Sequence, residues 1–167
     1  MRGYKYKLLG IFLILGVVAI GLAGCAALKG KPQAQVQAIP EQTAASPALM
    51  KEPLKFKGSG FAPKEMVVVD IVLPRDMKIL GLEEGENTVG IALTTSDDKG
   101  NFEATMAAMA TMQTFLQVPW VTTETGTKPD FKGAKPFPPG DYTIVATGMD
   151  SGVRATSKLT VIPPAKK

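Results

Sequence analysis

Cys25 is the single cysteine of this 167-residue chain, and the sequence contains no histidine. Ser-His-Asp and Cys-His catalysis need an imidazole base, and ordinary zinc sites draw on His and Cys, so these chemistries are excluded. Few candidates remain. Met106, Met109 and Met112 recur at every third position. Thioethers are soft ligands that suit Cu(I), and on a helix this spacing keeps the three on roughly one face. Methionine also fills gaps in small apolar interfaces, which is the plainer expectation. Asp97, Asp98 and Asn101 surround Gly100. A calcium loop of EF-hand type places its acids at alternate positions before the glycine, so a hairpin turn fits better. Glu83, Glu84 and Glu86 crowd one loop, whereas a paired-carboxylate hydrolase holds its two carboxyls apart across a cleft. Ser96 to Lys99 spells S-x-x-K, which works when both residues share a helical turn; the Gly100-Asn101 that follows predicts a hairpin instead. Trp120, Phe131 and Phe137 complete the set. Aromatics on loops at one end of a β domain stack on sugars or anchor a partner, or else cover the core. No catalytic constellation emerges, and a non-enzymatic protein is expected.

The elements around Cys25 give its chemistry. Arg2, Lys5 and Lys7 precede an uncharged stretch from Leu8 to Leu28, and Leu22-Ala23-Gly24 leads directly into the cysteine. As a helix, these 21 residues reach about 31 Å, enough to cross a bilayer core. An uncleaved anchor is therefore one reading. The small residues Ala23 and Gly24 before a cysteine favour the other, a processed signal peptide over residues 1–24. This run resembles the lipobox of bacterial lipoproteins. The resemblance implies a diacylglyceryl group on the Cys25 sulfur, cleavage before it, and further acylation (a palmitate-like chain) of the new N-terminus. Two or more acyl chains hold a protein stably on a membrane. Either reading exports the rest of the chain, because the basic residues stay on the cytoplasmic side. Ala26 follows the cysteine; by enterobacterial-type sorting, the lack of an aspartate there leans toward the outer membrane.

Processing also changes the charge. Of 19 Lys and Arg, three (Arg2, Lys5, Lys7) precede Cys25, which leaves 16 against 15 Asp and Glu. A near-neutral mature chain gives no footprint for nucleic acid. With Cys25 acylated, the domain has no thiol for a disulfide or a thiolate metal site. No cofactor is expected beyond the lipid on Cys25.

Residues 25–50, rich in Ala, Gln and Pro, read as a disordered tether. From Lys51 the pattern becomes an alternation of period two, the mark of half-buried strands. Leu54 and Phe56, then Val67, Val69, Ile71 and Leu73, then Val89, Ile91 and Leu93 are the inward residues. Phe102, Ala104 and Met106, then Tyr142, Ile144 and Ala146, then Val153, Ala155, Leu159 and Val161 complete the series. Residues 103–118 are rich in Ala, Met, Gln and Leu and end at Pro119, which predicts a short helix. Trp120 to Thr123 suggests one more strand, and 128–139 a loop.

Gly58-Ser59-Gly60-Phe61-Ala62-Pro63-Lys64-Glu65 before a valine-rich strand resembles the opening of bacterial immunoglobulin-like domains. Asp98-Lys99-Gly100-Asn101-Phe102, Pro139-Gly140-Asp141-Tyr142-Thr143 and the final Ala155 to Val161 resemble later parts of the same family. The chain departs from it at Lys64, where the family usually has glycine, and through residues 105–137, which read as an insertion. The resemblance implies an all-β, immunoglobulin-like antiparallel sandwich over 51–163, with a short tail over 164–167. It carries little about function, because this architecture hosts many roles. The expectation is a lipid-anchored module of the bacterial cell envelope, facing periplasm or cell surface, that meets a protein or glycan partner through Trp120, Phe131 and Phe137. The alternatives are a copper binder using Met106, Met109 and Met112, and a carbohydrate-binding module.

Overall fold

The computed structural model describes residues 33–77, 79 and 82–164. The expected signal peptide, Cys25, the start of the tether and the last three residues lie outside the described residues. The chain is all-β, with ten strands and a few short helical turns among those residues. In order they are β1 (Gln35–Ile39), β2 (Gln42–Ala44), β3 (Lys55–Ser59), β4 (Met66–Val72), β5 (Thr88–Thr95), β6 (Phe102–Thr105), β7 (Trp120–Thr123), β8 (Gly126–Pro129), β9 (Gly140–Gly148) and β10 (Arg154–Ile162). One sheet has the order β1-β3-β6 and another β2-β10-β9-β4-β5; β7 and β8 pair only with each other. The five-stranded sheet curls as a half-barrel.

Period-two patterning explains the core. Val67, Val69 and Ile71 of β4 and Ile144 and Ala146 of β9 turn the same way as Leu159 and Val161 of β10, and they meet Phe56 of β3. Burying a large aliphatic side chain contributes about 1.5–3 kcal/mol, so this shared face sets the register. Among the described residues there is no cysteine, so no disulfide closes this domain and the buried apolar face holds it together.

Three expectations need correction. The stretch read as a tether is ordered across its described part. Val36 and Ala38 are buried while Gln35 and Gln37 face out, and β1 pairs antiparallel with β3 from Gln35↔Ser59 to Ile39↔Lys55. Its apolar residues are few and interleaved with glutamine, so the strand draws its stability from pairing with β3 rather than from its own composition. After Pro40 the chain changes sheet, and β2 runs parallel to β10 at Thr160↔Gln42, so the pairing is not wholly antiparallel. The domain therefore begins near Gln33, not Lys51.

The second correction concerns β5. Val69 pairs with Ala92 but Asp70 pairs with Gly90, so Ile91 is an extra residue in a β-bulge. A bulge shifts the phase of everything beyond it. Ala92 is buried and Leu93, expected inside, faces out. The freed Ile91 carbonyl accepts a hydrogen bond from the Ala107 N–H at 3.0 Å.

The third concerns the helix. Residues Phe102–Thr105 continue as strand β6, and helical structure covers only Ala108–Ala110 and a π-turn at Thr111–Phe115. The buried alternation of Phe102 and Ala104 outweighs the helix propensity of the residues after them. Gln117, at φ 43°, turns the chain out of the π-turn toward β7.

Candidate functional site

The domain has two differently built ends. At one, Glu65 ties three turns together. It precedes β4 and is buried. Its carboxylate accepts hydrogen bonds from the Ala62 N–H at 2.5 Å, the Ser151 N–H at 3.0 Å and the Ser151 hydroxyl at 2.9 Å. Its own N–H donates to Ser96 Oγ at 3.0 Å, and that hydroxyl donates to the Ala62 carbonyl at 2.6 Å. Burial pushes the Glu65 pKa up, but the hydrogen bonds from Ser151 and Ala62 outweigh it and hold the group below its ordinary value. A Cβ on Gly148 would fall on this carboxylate, so glycine is needed there. Ser96 of the S-x-x-K string is thus a structural bridge. Asp97 is equally committed: its Oδ1 accepts the Lys99 and Asn101 N–H groups, both at 2.8 Å.

Within the Gly58–Glu65 motif, the sequence alone assigns Glu65 no role. An acid placed directly before a valine-rich strand was the available signal. Lys64 beside it sits at φ 60°, the left-handed region that favours glycine.

The other end carries the insertion. Its aromatic candidates separate. Phe137 is 3 % exposed and stacks between Phe115, at 5.0 Å, and Tyr142, at 5.1 Å. It belongs to the core and is removed from the binding set. Its backbone explains why: the Phe137 N–H donates to the Phe115 carbonyl at 2.9 Å, which folds the loop back under the sheet. Trp120 and Phe131 remain 46 % and 49 % exposed. Trp120 opens β7, paired with Pro129 of β8. Asp130 donates its N–H to the Pro119 carbonyl at 2.8 Å and accepts from the Lys132 N–H at 3.1 Å. These bonds fix the short helical turn Phe131–Gly133 beside the base of the hairpin. Val121, Lys128 and Lys132 are exposed around it. At the same end, a groove of about 600 Å³ is lined by Met77, Lys135, Pro136, Pro138 and Tyr142 among others. The Tyr142 hydroxyl donates to the Pro138 carbonyl at 2.8 Å, and burial raises its pKa.

The methionines do not form one face. Met106 precedes the helical segment and lies in the core, while Met109 projects into solvent and Met112 is half-buried. Glu83 and Glu86 close their own turn, with the Glu83 N–H donating to Glu86 Oε2 at 3.2 Å. Among the described residues, no three Asp or Glu side chains converge.

No family model matches the chain, and no curated protein matches it. Among solved structures, the chain is similar to DesR, a β-glucosidase from Streptomyces venezuelae, at 11 % identity and a TM-score of 0.38. That match covers 67 % of this chain but only 13 % of the glucosidase. It is also similar to BslA, a bacterial hydrophobin, at 13 % identity and a TM-score of 0.36, covering 80 % of this chain and 97 % of that one.

Proposed function

We propose that this chain is an exported lipoprotein whose immunoglobulin-like β domain is held to a bilayer by acyl chains on Cys25. It acts as a non-enzymatic interaction module of the bacterial cell envelope and meets its partner through Trp120 and Phe131. The basic start, the uncharged stretch and Leu22-Ala23-Gly24-Cys25 support the anchor. Two observations support the immunoglobulin-like reading. One is the division of the strands into two sheets, β1-β3-β6 and β2-β10-β9-β4-β5, that share one core. The other is the bond from Tyr142, near the start of β9, back to Pro138, which has the form of the tyrosine corner of such domains.

The observation that carries the binding role is the division of the insertion. One aromatic, Phe137, is stacked into the core, while Trp120 on the β7-β8 hairpin and Phe131 in the short helical turn after it stay half exposed. Exposed aromatics cost solvation, and clustered ones mark contact sites. The test is co-purification of the native lipoprotein from its own membranes, followed by identification of what comes with it. Trp120→Ala together with Phe131→Ala is expected to release the partner at least tenfold while leaving the melting temperature in place. Unchanged recovery of that partner would reject the site.

A further inference from the structure

A second exposed apolar cluster lies at the end of the domain opposite the hairpin. Met66, Leu93 and Met149 are 50 %, 62 % and 57 % exposed. They are neighbours on the outer face of the five-stranded sheet. The Met149 N–H donates to the Met66 carbonyl at 2.9 Å, and Leu93 pairs with the half-buried Val68, one step along β4 on the same face. The bulge at Ile91 is what turns Leu93 outward, so the cluster depends on a specific backbone device. Arg154, exposed, continues the row through Thr147 and Val68 to Leu93.

The chain enters the domain at this same end. Gln35 pairs with Ser59, and Ser59 leads through the Glu65 turn to Met66. Seven residues separate Cys25 from Gln33, a reach of at most about 28 Å for the connection. The hairpin end is farther off: β9 alone spans its nine residues, about 30 Å, between the two ends. We infer that Met66, Leu93 and Met149 rest on the surface of the bilayer that holds Cys25, so that the Glu65 end faces lipid and the Trp120 hairpin points away from it. This rests on the lipid anchor proposed above.

The chemistry fits a phospholipid surface of no net charge. Methionine and leucine enter the boundary between headgroups and acyl chains, and Arg154 reaches a phosphate at its edge. The charges at the rim are mixed: Lys64 pairs with Asp98 at 3.0 Å, and Lys99 and Asp150 are exposed beside them. Binding therefore draws on apolar burial rather than on anionic lipid. Three side chains make a weak contact alone. A short covalent tether supplies the effective concentration that makes a weak contact persistent.

The experiment uses the full acylated chain in phosphatidylcholine vesicles. An environment-sensitive fluorophore is placed on Met149→Cys in one sample and on Thr125→Cys, at the hairpin tip, in another; acylated Cys25 does not react. Flotation reports whether the protein stays on the vesicles. The expected result is flotation, a blue-shifted position-149 probe quenched by nitroxide lipid, little dependence on salt, and an unchanged position-125 probe. Adding Met66→Gln and Leu93→Gln is expected to return the position-149 probe to water while flotation persists. A protein that floats with its position-149 probe in water overturns this inference and leaves the anchor standing. A protein that does not float overturns the anchor and the inference together. Energy transfer between position-149 probes without lipid quenching would assign the cluster to a second copy of the chain and also overturn it.

Discussion

Glu65 and Lys64 stand side by side and are opposites in energetic terms. Glu65 is held ionised inside the protein by donors from two turns, so Glu65→Gln replaces an acceptor with a group that also presents N–H bonds to N–H donors. Hydrogen bonds to charged groups are worth about 1.5–3 kcal/mol each, and a loss of about 3 kcal/mol is expected from urea unfolding. The pH dependence follows from the same bonds. The folded pKa of Glu65 lies below its ordinary value of 4.5. Its stabilisation is therefore complete above that value and is lost as pH falls through the folded pKa. Asp97 and Asp141 shift the same way, through bonds from Asn101 and from Thr160. Asp70 is raised by burial and opposes them, with Arg154 moderating the shift. Glu65→Gln should flatten the fall in melting temperature below about pH 4.5; an unchanged acid limb would remove Glu65 from the account. Lys64 is strained instead. Left-handed backbone costs a non-glycine residue about 1–2 kcal/mol, part of which glycine gives back as unfolded-state entropy. The ion pair with Asp98 is exposed and worth little. Lys64→Gly should raise the urea midpoint by about 0.5–1 kcal/mol in stability without changing the m-value.

At the scale of elements, the insertion and the strand patterns show what a sequence can reveal. The strands β3, β4, β6, β9 and β10 were legible because long alternations of Val, Ile, Leu and Phe fix a buried face. Strand β1 carries the same alternation in Val36 and Ala38, but with few apolar residues diluted by glutamine, and only its pairing with β3 makes it a strand. The side to which Leu93 points was not legible, because a bulge leaves no mark on composition while it inverts the pattern beyond it. Of the three aromatics singled out, sequence gave no means to separate Phe137 from Trp120 and Phe131; the fold-back of its backbone onto Phe115 decides it. This division predicts contrasting substitutions. Phe137→Ala should cost about 3–5 kcal/mol. Trp120→Ala and Phe131→Ala should each stay within about 0.5 kcal/mol, as exposed substitutions usually do. Thermal denaturation of the three variants distinguishes them, and a large loss at Trp120 or Phe131 would return those residues to the core. Tyr142→Phe should cost about 1 kcal/mol by leaving the Pro138 carbonyl without its partner.

Taken whole, the described domain has a direction. Chain entry, the Glu65 ties and the exposed Met66, Leu93 and Met149 share one end; the hairpin and the groove beside Tyr142 share the other. Under the lipid anchor proposed above, a domain held at the first end presents the second away from the bilayer. That arrangement gives the exposed aromatics a use without any catalytic group, and it depends on acylation of Cys25. Intact-mass spectrometry of the protein extracted from its own membranes tests this most directly. The expected chain begins at Cys25 and carries the mass of a diacylglyceryl group, with or without a further acyl chain. A chain that still begins at Met1 and bears a free thiol would contradict it.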